Sequence, residues 1–121
     1  MPKSESDLVG KFMRLLGLVV VVFMVASLFI GGAQPGAGSL FHPPWDKLVH
    51  AGYFFVLTLL LYRFVGLPVV LVVAVSLALG MADEIHQTYL PGRTADWDDF
   101  LADSIGVALA LAFAGLIFKR K

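Results

Sequence analysis

Four long apolar runs, each closed by glycine, proline or a cluster of polar residues, set the pattern of this chain. The first extends from Leu15 to about Gly32 and is interrupted only by small residues and Ser27. At about 1.5 Å rise per residue, such a run crosses roughly 30 Å of hydrocarbon with little to spare. Gln34 to Pro44 is rich in Gly, Pro and Ser and reads as an irregular loop. Pro43-Pro44 bars an earlier start to the second helix, which begins near Trp45-Asp46 and runs to about Val65, with Gly66 and Pro68 in the turn beyond. The third starts at Pro68, stays apolar to Met81 and then enters Asp83-Glu84-Ile85-His86-Gln87. Pro91-Gly92 breaks it, the glycine supplying the positive φ of a type II turn. The fourth begins between Asp96 and Asp99 and continues to Phe118, ahead of Lys119-Arg120-Lys121. The predicted spans are 15–32, 46–65, 68–87 and 99–118, in a membrane domain over 15–121 that follows a polar lead over 1–14. The first ten residues of that lead are expected to be mobile. The expected fold class is all-α, a polytopic helical membrane bundle of about four spans.

Composition agrees with the pattern. Hydrophobic residues make up 59% of the 121 residues and charged residues 15%, against roughly 45–50% and about 25% in soluble domains. One domain is expected at this length. A net charge of zero offers no field for a nucleic-acid partner. The absence of cysteine excludes disulfides, thiol nucleophiles and thiolate metal sites. A cleaved signal peptide is the rival reading of the first run, with Gly31-Gly32-Ala33 as the small residues before a cut. The run exceeds the roughly 7–15 residues of a signal-peptide core, so an uncleaved span is expected.

The charges divide by side. With four spans, Lys3, Lys11, Arg14, Arg63, Lys119, Arg120 and Lys121 fall on one face, seven basic residues against Lys47 and Arg93 on the other. The positive-inside bias then places both termini in the cytoplasm. It also brings Trp45 to Tyr53 and Asp83 to Asp103 together on the outer side, and these two stretches hold seven of the nine acids. Segments distant in sequence thus converge at one membrane depth.

The candidate chemistry lies there. Asp46, His50 and Tyr53 share a face of the second helix at i, i+4, i+7, with Lys47 one step round. Asp83 and Gln87 share a face of the third, flanked by Glu84 and His86, and Asp99 with Asp103 repeat the i, i+4 spacing on the fourth. Polar groups turned to lipid would each cost several kcal/mol, so these stripes are expected to face one another beneath a loop carrying Arg93. Plainer roles compete for some of them. Asp96, Asp98 and Asp46 suit helix N-termini as caps or first-turn acids. Trp45, Trp97, Tyr53 and Tyr89 suit a membrane interface, and His42 reads as incidental. Asp83 and Asp103 resist such readings best, because an Asp inside a span costs roughly 2.5–3.5 kcal/mol near its centre. Ala102, Gly106, Ala110 and Ala114 form a small-residue ridge suited to helix packing.

Paired carboxylates with histidine suit general acid–base work, and Arg93 with Lys47 could grip a phosphate. His50 and His86 with Asp or Glu could hold a divalent cation. No metal-ligand spacing supports that, and no metal or cofactor is expected. No phosphate-cradling glycine loop or serine elbow is present.

Three short motifs resemble the VanZ-like family of small bacterial membrane proteins. They are Asp46, Lys47, His50 and Tyr53; then Asp83, Glu84 and Gln87 with Pro91 and Arg93; then Asp96, Asp99, Asp103 and Gly106. Together they span about Asp46 to Ala110. The chain departs from the family pattern at Asp103, where Asn is usual, and at Ala110, where Gly is common. The resemblance implies a multi-span helical fold and an envelope role connected with low-level resistance to teicoplanin-type glycopeptides, without supplying a reaction. The expectation is an inner-membrane protein with an outer-leaflet pocket for an anionic envelope lipid or cell-wall precursor. Lys47 and Arg93 would grip the anion, with His50, Asp83 and Glu84 as acid–base candidates. Gln87, Tyr53 and Asp99 would orient them, with Asp46 and Asp103 also in the pocket. The alternative is a non-enzymatic protein whose polar cluster locks the helices.

Overall fold

A computed structural model of the chain describes residues 3–37, 40–93 and 96–118. Four helices organise them: α1 (Lys3–Ala26), α2 (Trp45–Leu59), α3 (Val69–Thr88) and α4 (Trp97–Ile117). α1 widens into a π-helical turn at Ser27–Gly31, and α2 into another at Leu60–Val65. Each helix is long and apolar enough to cross a membrane, and no strand occurs among the described residues. The second predicted span matches α2 together with its Leu60–Val65 turn, and the third and fourth match α3 and α4, each to within two residues at either end. The polar lead differs. α1 begins at Lys3, so Ser4 to Asp7 form its first turns. No proline interrupts Lys3 to Gly10, and Glu5 in the first turn favours the positive end of the helix dipole. The basic run Lys119-Arg120-Lys121 lies outside the described residues.

α2 and α4 form the most extensive pair, and Gly106 explains how closely they approach. It sits against the Ala51 backbone, where a Cβ would run into the Ala51 carbonyl oxygen. Ala102, Ala110 and Ala114 continue the same buried face, so the predicted small-residue ridge is the seam between two backbones. The opposite face of α4 carries Leu101, Ile105, Leu109 and Phe113, all exposed. That inversion, with small and acidic residues inside and large apolar ones outside, is what hydrocarbon around the bundle demands. α3 lies against α4, and α1 reaches the Leu60–Val65 turn through Gly17, which abuts Phe64. An apolar core that includes Phe54, Leu57, Leu61, Val72 and Val107 fills the centre. Inside it the hydroxyls of Thr58 and Ser76 meet at 3.4 Å across α2 and α3.

The helices run up and down in turn. At one end Arg14 approaches Gly66 and Arg63 lies over the Phe118 ring at 5.4 Å. At the other, the α1 exit, the start of α2, the end of α3 and the start of α4 come together: Phe29 packs edge-on to His86, and Lys47 reaches Asp96. The convergence of Trp45–Tyr53 with Asp83–Asp103 is therefore a feature of the fold.

Candidate functional site

The site is built from one short polar segment of each of α2, α3 and α4. On α2, Lys47 projects across the seam, and its ammonium lies 3.1 Å from Asp46, 2.5 Å from Asp96 and 2.7 Å from Asp99. Asp96 is the N-cap of α4: its Oδ1 accepts from the Asp98 N–H at 3.0 Å while its Oδ2 accepts from Lys47. The Lys47 hydrogen bond, with the Asp98 N–H behind it, holds the Asp96 carboxyl below the usual carboxylate range. Asp96 thus combines capping with an interhelical ion pair. Asp46 lies in the first turn of α2 and caps nothing, since Pro44 is at the N-cap position.

One turn deeper, His50 faces α4. Its Nδ1 is 2.9 Å from Asp103 Oδ1 and its Nε2 is 3.5 Å from Asp99 Oδ2. The i, i+4 spacing of Asp99 and Asp103 therefore presents two carboxylates to one imidazole, and Asp103 is fully buried. α3 contributes Glu84, also fully buried, whose Oε2 accepts from the Asp96 N–H at 2.9 Å. Beside it Gln87 donates to Asp83 at 3.3 Å. Glu84 Oε1 and Asp103 Oδ2 are buried without a hydrogen-bond partner among the described residues. Unpaired carboxylate oxygens inside an apolar bundle cost several kcal/mol each when charged.

The remaining candidates lie further out. Tyr53 turns to α1, where its hydroxyl donates to the Met24 carbonyl at 2.6 Å. His86 packs against Phe29 and does not join His50 in a ligand group. Trp45, Trp97 and Tyr89 are exposed, as interfacial aromatics are, and His42 is exposed in the loop before α2.

Above the acids opens a cleft of about 670 Å³ between the loop after α1 and the turn after α3. Asp46, Gln87, Arg93, Asp96 and Asp99 line it. Arg93 owes its place to the turn: Gly92 has φ +72° and the Arg93 N–H donates to the Leu90 carbonyl at 3.2 Å, the type II geometry expected of Pro-Gly. From there Arg93 Nη1 donates to the Gly32 carbonyl at 2.8 Å, tying that turn to the end of α1. Among the described residues no acid pairs with Arg93 within 4.0 Å. The two cations expected to act together are therefore separate: Lys47 is enclosed by acids, and Arg93 stands at the cleft.

Sequence reasoning passed over three contacts: the carbonyls of Gly32 and Met24, and the Thr58–Ser76 bridge. The bridge had a signal, since each is a lone hydroxyl within an apolar run. The carbonyls had none, because any residue carries one.

Comparison with known proteins follows the same outline. An uncharacterized protein of Schizosaccharomyces pombe is 30% identical over 108 residues, covering 85% of this chain and 64% of the relative. The chain thus spans just under two thirds of that relative's length. No solved structure matches the chain. The VanZ/LLP1 family model matches residues 8–118, which include α1 from Leu8 onward, the whole of α2, α3 and α4, and every site residue described above. This multi-pass membrane protein belongs to the VanZ/LLP1 family.

Proposed function

We propose that the protein binds an anionic lipid head group or lipid-linked cell-wall precursor in the Arg93 cleft, on the outer face of a bacterial cytoplasmic membrane. Both termini lie in the cytoplasm in this reading, and the binding lowers susceptibility to teicoplanin-type glycopeptides. One observation carries it. Arg93 gives one nitrogen to a loop carbonyl and pairs with no acid within 4.0 Å among the described residues, which leaves most of a five-donor guanidinium for a ligand. Lys47, held by three carboxylates, serves as the internal counter-ion instead. If the bound molecule is also modified, His50, Asp83 and Glu84 are the acid–base groups, with Gln87 and Asp99 positioning them.

Retention of lipid by the purified protein tests the binding. Native mass spectrometry from mixed anionic and zwitterionic nanodiscs should show anionic lipid retained by the wild type and lost from Arg93→Ala. Equal retention by both would contradict the reading.

The Lys47 network favours a second reading, in which the polar cluster locks α2 to α4 without ligand. A lock loses folded protein when His50 or Glu84 is changed, whereas a reacting site loses only activity.

A further inference from the structure

Two groups of side chains bring three possible ligands together: Asp46, Asp96 and Asp99 in one, His50, Glu84 and Asp103 in the other. The first already has its cation, because the Lys47 ammonium lies within 3.1 Å of all three carboxylates. The second contains no lysine or arginine. Its ligand atoms lie within 4.8 Å of one another and come from α2, α3 and α4, one from each. Glu84 and Asp103 are both fully buried, and each keeps one oxygen without a hydrogen-bond partner among the described residues. Asp83 and Asp99, both buried, add negative charge nearby.

From this geometry we infer that His50, Glu84 and Asp103 form a binding site for one divalent cation of the Zn2+ or Mn2+ class. The charge is right, since a neutral imidazole and two carboxylates balance a dication. The mixed nitrogen and oxygen donors favour such an ion over Ca2+ or Mg2+. The spacing is close, since an ion about 2.0–2.2 Å from each donor draws the donors to roughly 3–4 Å apart. His50 Nδ1 and Asp103 Oδ1 are already 2.9 Å apart, and adjustment within the Glu84 side chain closes the rest. Asp99, 3.5 Å from His50 Nε2, can take the N–H of the ring nitrogen that does not bind the ion, the support that ligating histidines ordinarily have. Three protein donors leave at least one coordination position for water or a ligand oxygen. The site does not depend on the lipid-binding reading.

The test uses the metal alone. Full-length protein in detergent is stripped with EDTA, dialysed and titrated with Zn2+ and, separately, Mn2+, with bound metal measured by elemental analysis. The wild type should take up about one equivalent. Asp103→Asn and Glu84→Gln should weaken binding at least tenfold, whereas Asp96→Asn, in the lysine-filled group, should not. Thermal unfolding of the wild type needs no variant: Zn2+ should raise Tm after stripping, and EDTA should reverse the rise. No stoichiometric uptake and no change in Tm would overturn the proposal, as would uptake that survives both Asp103→Asn and Glu84→Gln.

Discussion

Replacing Lys47 with Met removes the one ammonium that joins Asp46, Asp96 and Asp99 and leaves a side chain of similar length. The three carboxylates lie within 4.8 Å of one another. At that separation and an effective dielectric of about 20, two unit charges repel by roughly 3.5 kcal/mol. Asp96 has a side chain 45% exposed, so water screens its two pairs, and the Asp46–Asp99 repulsion dominates. The expected loss of stability is therefore about 2–4 kcal/mol, read as a shift in unfolding by SDS in mixed micelles. The sign of a second substitution is more telling. Asp99→Asn should destabilise the wild type, where it removes a partner of Lys47, and stabilise Lys47→Met, where it removes a repelling charge. A Lys47→Met protein as stable as the wild type would refute the reasoning. So would an Asp99→Asn effect of one sign in both backgrounds.

Gly106→Ala should destabilise by about 1–3 kcal/mol, because its Cβ would meet the Ala51 carbonyl, whereas Gly52→Ala, with nothing within 4 Å of its Cβ, should change stability little; thermal unfolding in detergent compares the two. Reporter fusions at Gly92 and after Lys121 should fall on opposite sides of the membrane with the C-terminus cytoplasmic, as the seven-to-two division of basic residues predicts. Asp96 sets an acid limit: its carboxyl is held below the ordinary 3.8, so its contribution to stability is fully present above that value and fades as pH falls through its lower folded-state pKa. Unfolding curves of wild type and Asp96→Asn should accordingly differ by a constant amount between pH 5 and 8 and converge in stronger acid.

Much of this fold is legible in the apolar runs, because hydrocarbon imposes length and polarity together. Pro43-Pro44, Gly66-Leu67-Pro68 and Pro91-Gly92 mark breaks that the helices respect, and the distribution of Lys and Arg implied the shared polar end. What spacing alone does not reveal is the rotational phase between helices. That phase follows from the Gly106–Ala51 contact, and it decides that Lys47 crosses to Asp99 while Tyr53, on the same face of α2 as His50, turns to Met24 of α1. The helical start at Lys3 was obscured because polarity resembles disorder when the only criterion is membrane compatibility. Asp103 stood out as an acid where the family pattern usually has an amide, but its pairing with His50 depends on two helices meeting at one depth.

The central claim, that the cleft holds an anion through Arg93, is tested most directly by one paired measurement on Arg93→Ala in cells and in detergent. The single hydrogen bond to Gly32 that the substitution removes is worth about 1 kcal/mol, so thermal stability and expression should hardly change. Protection against teicoplanin-type glycopeptides should nevertheless be lost, and Arg93→Lys, which keeps the charge but not the forked donor, should restore only part of it. Protection that persists in a well-folded Arg93→Ala protein, or that disappears only in step with folded protein, would contradict the account.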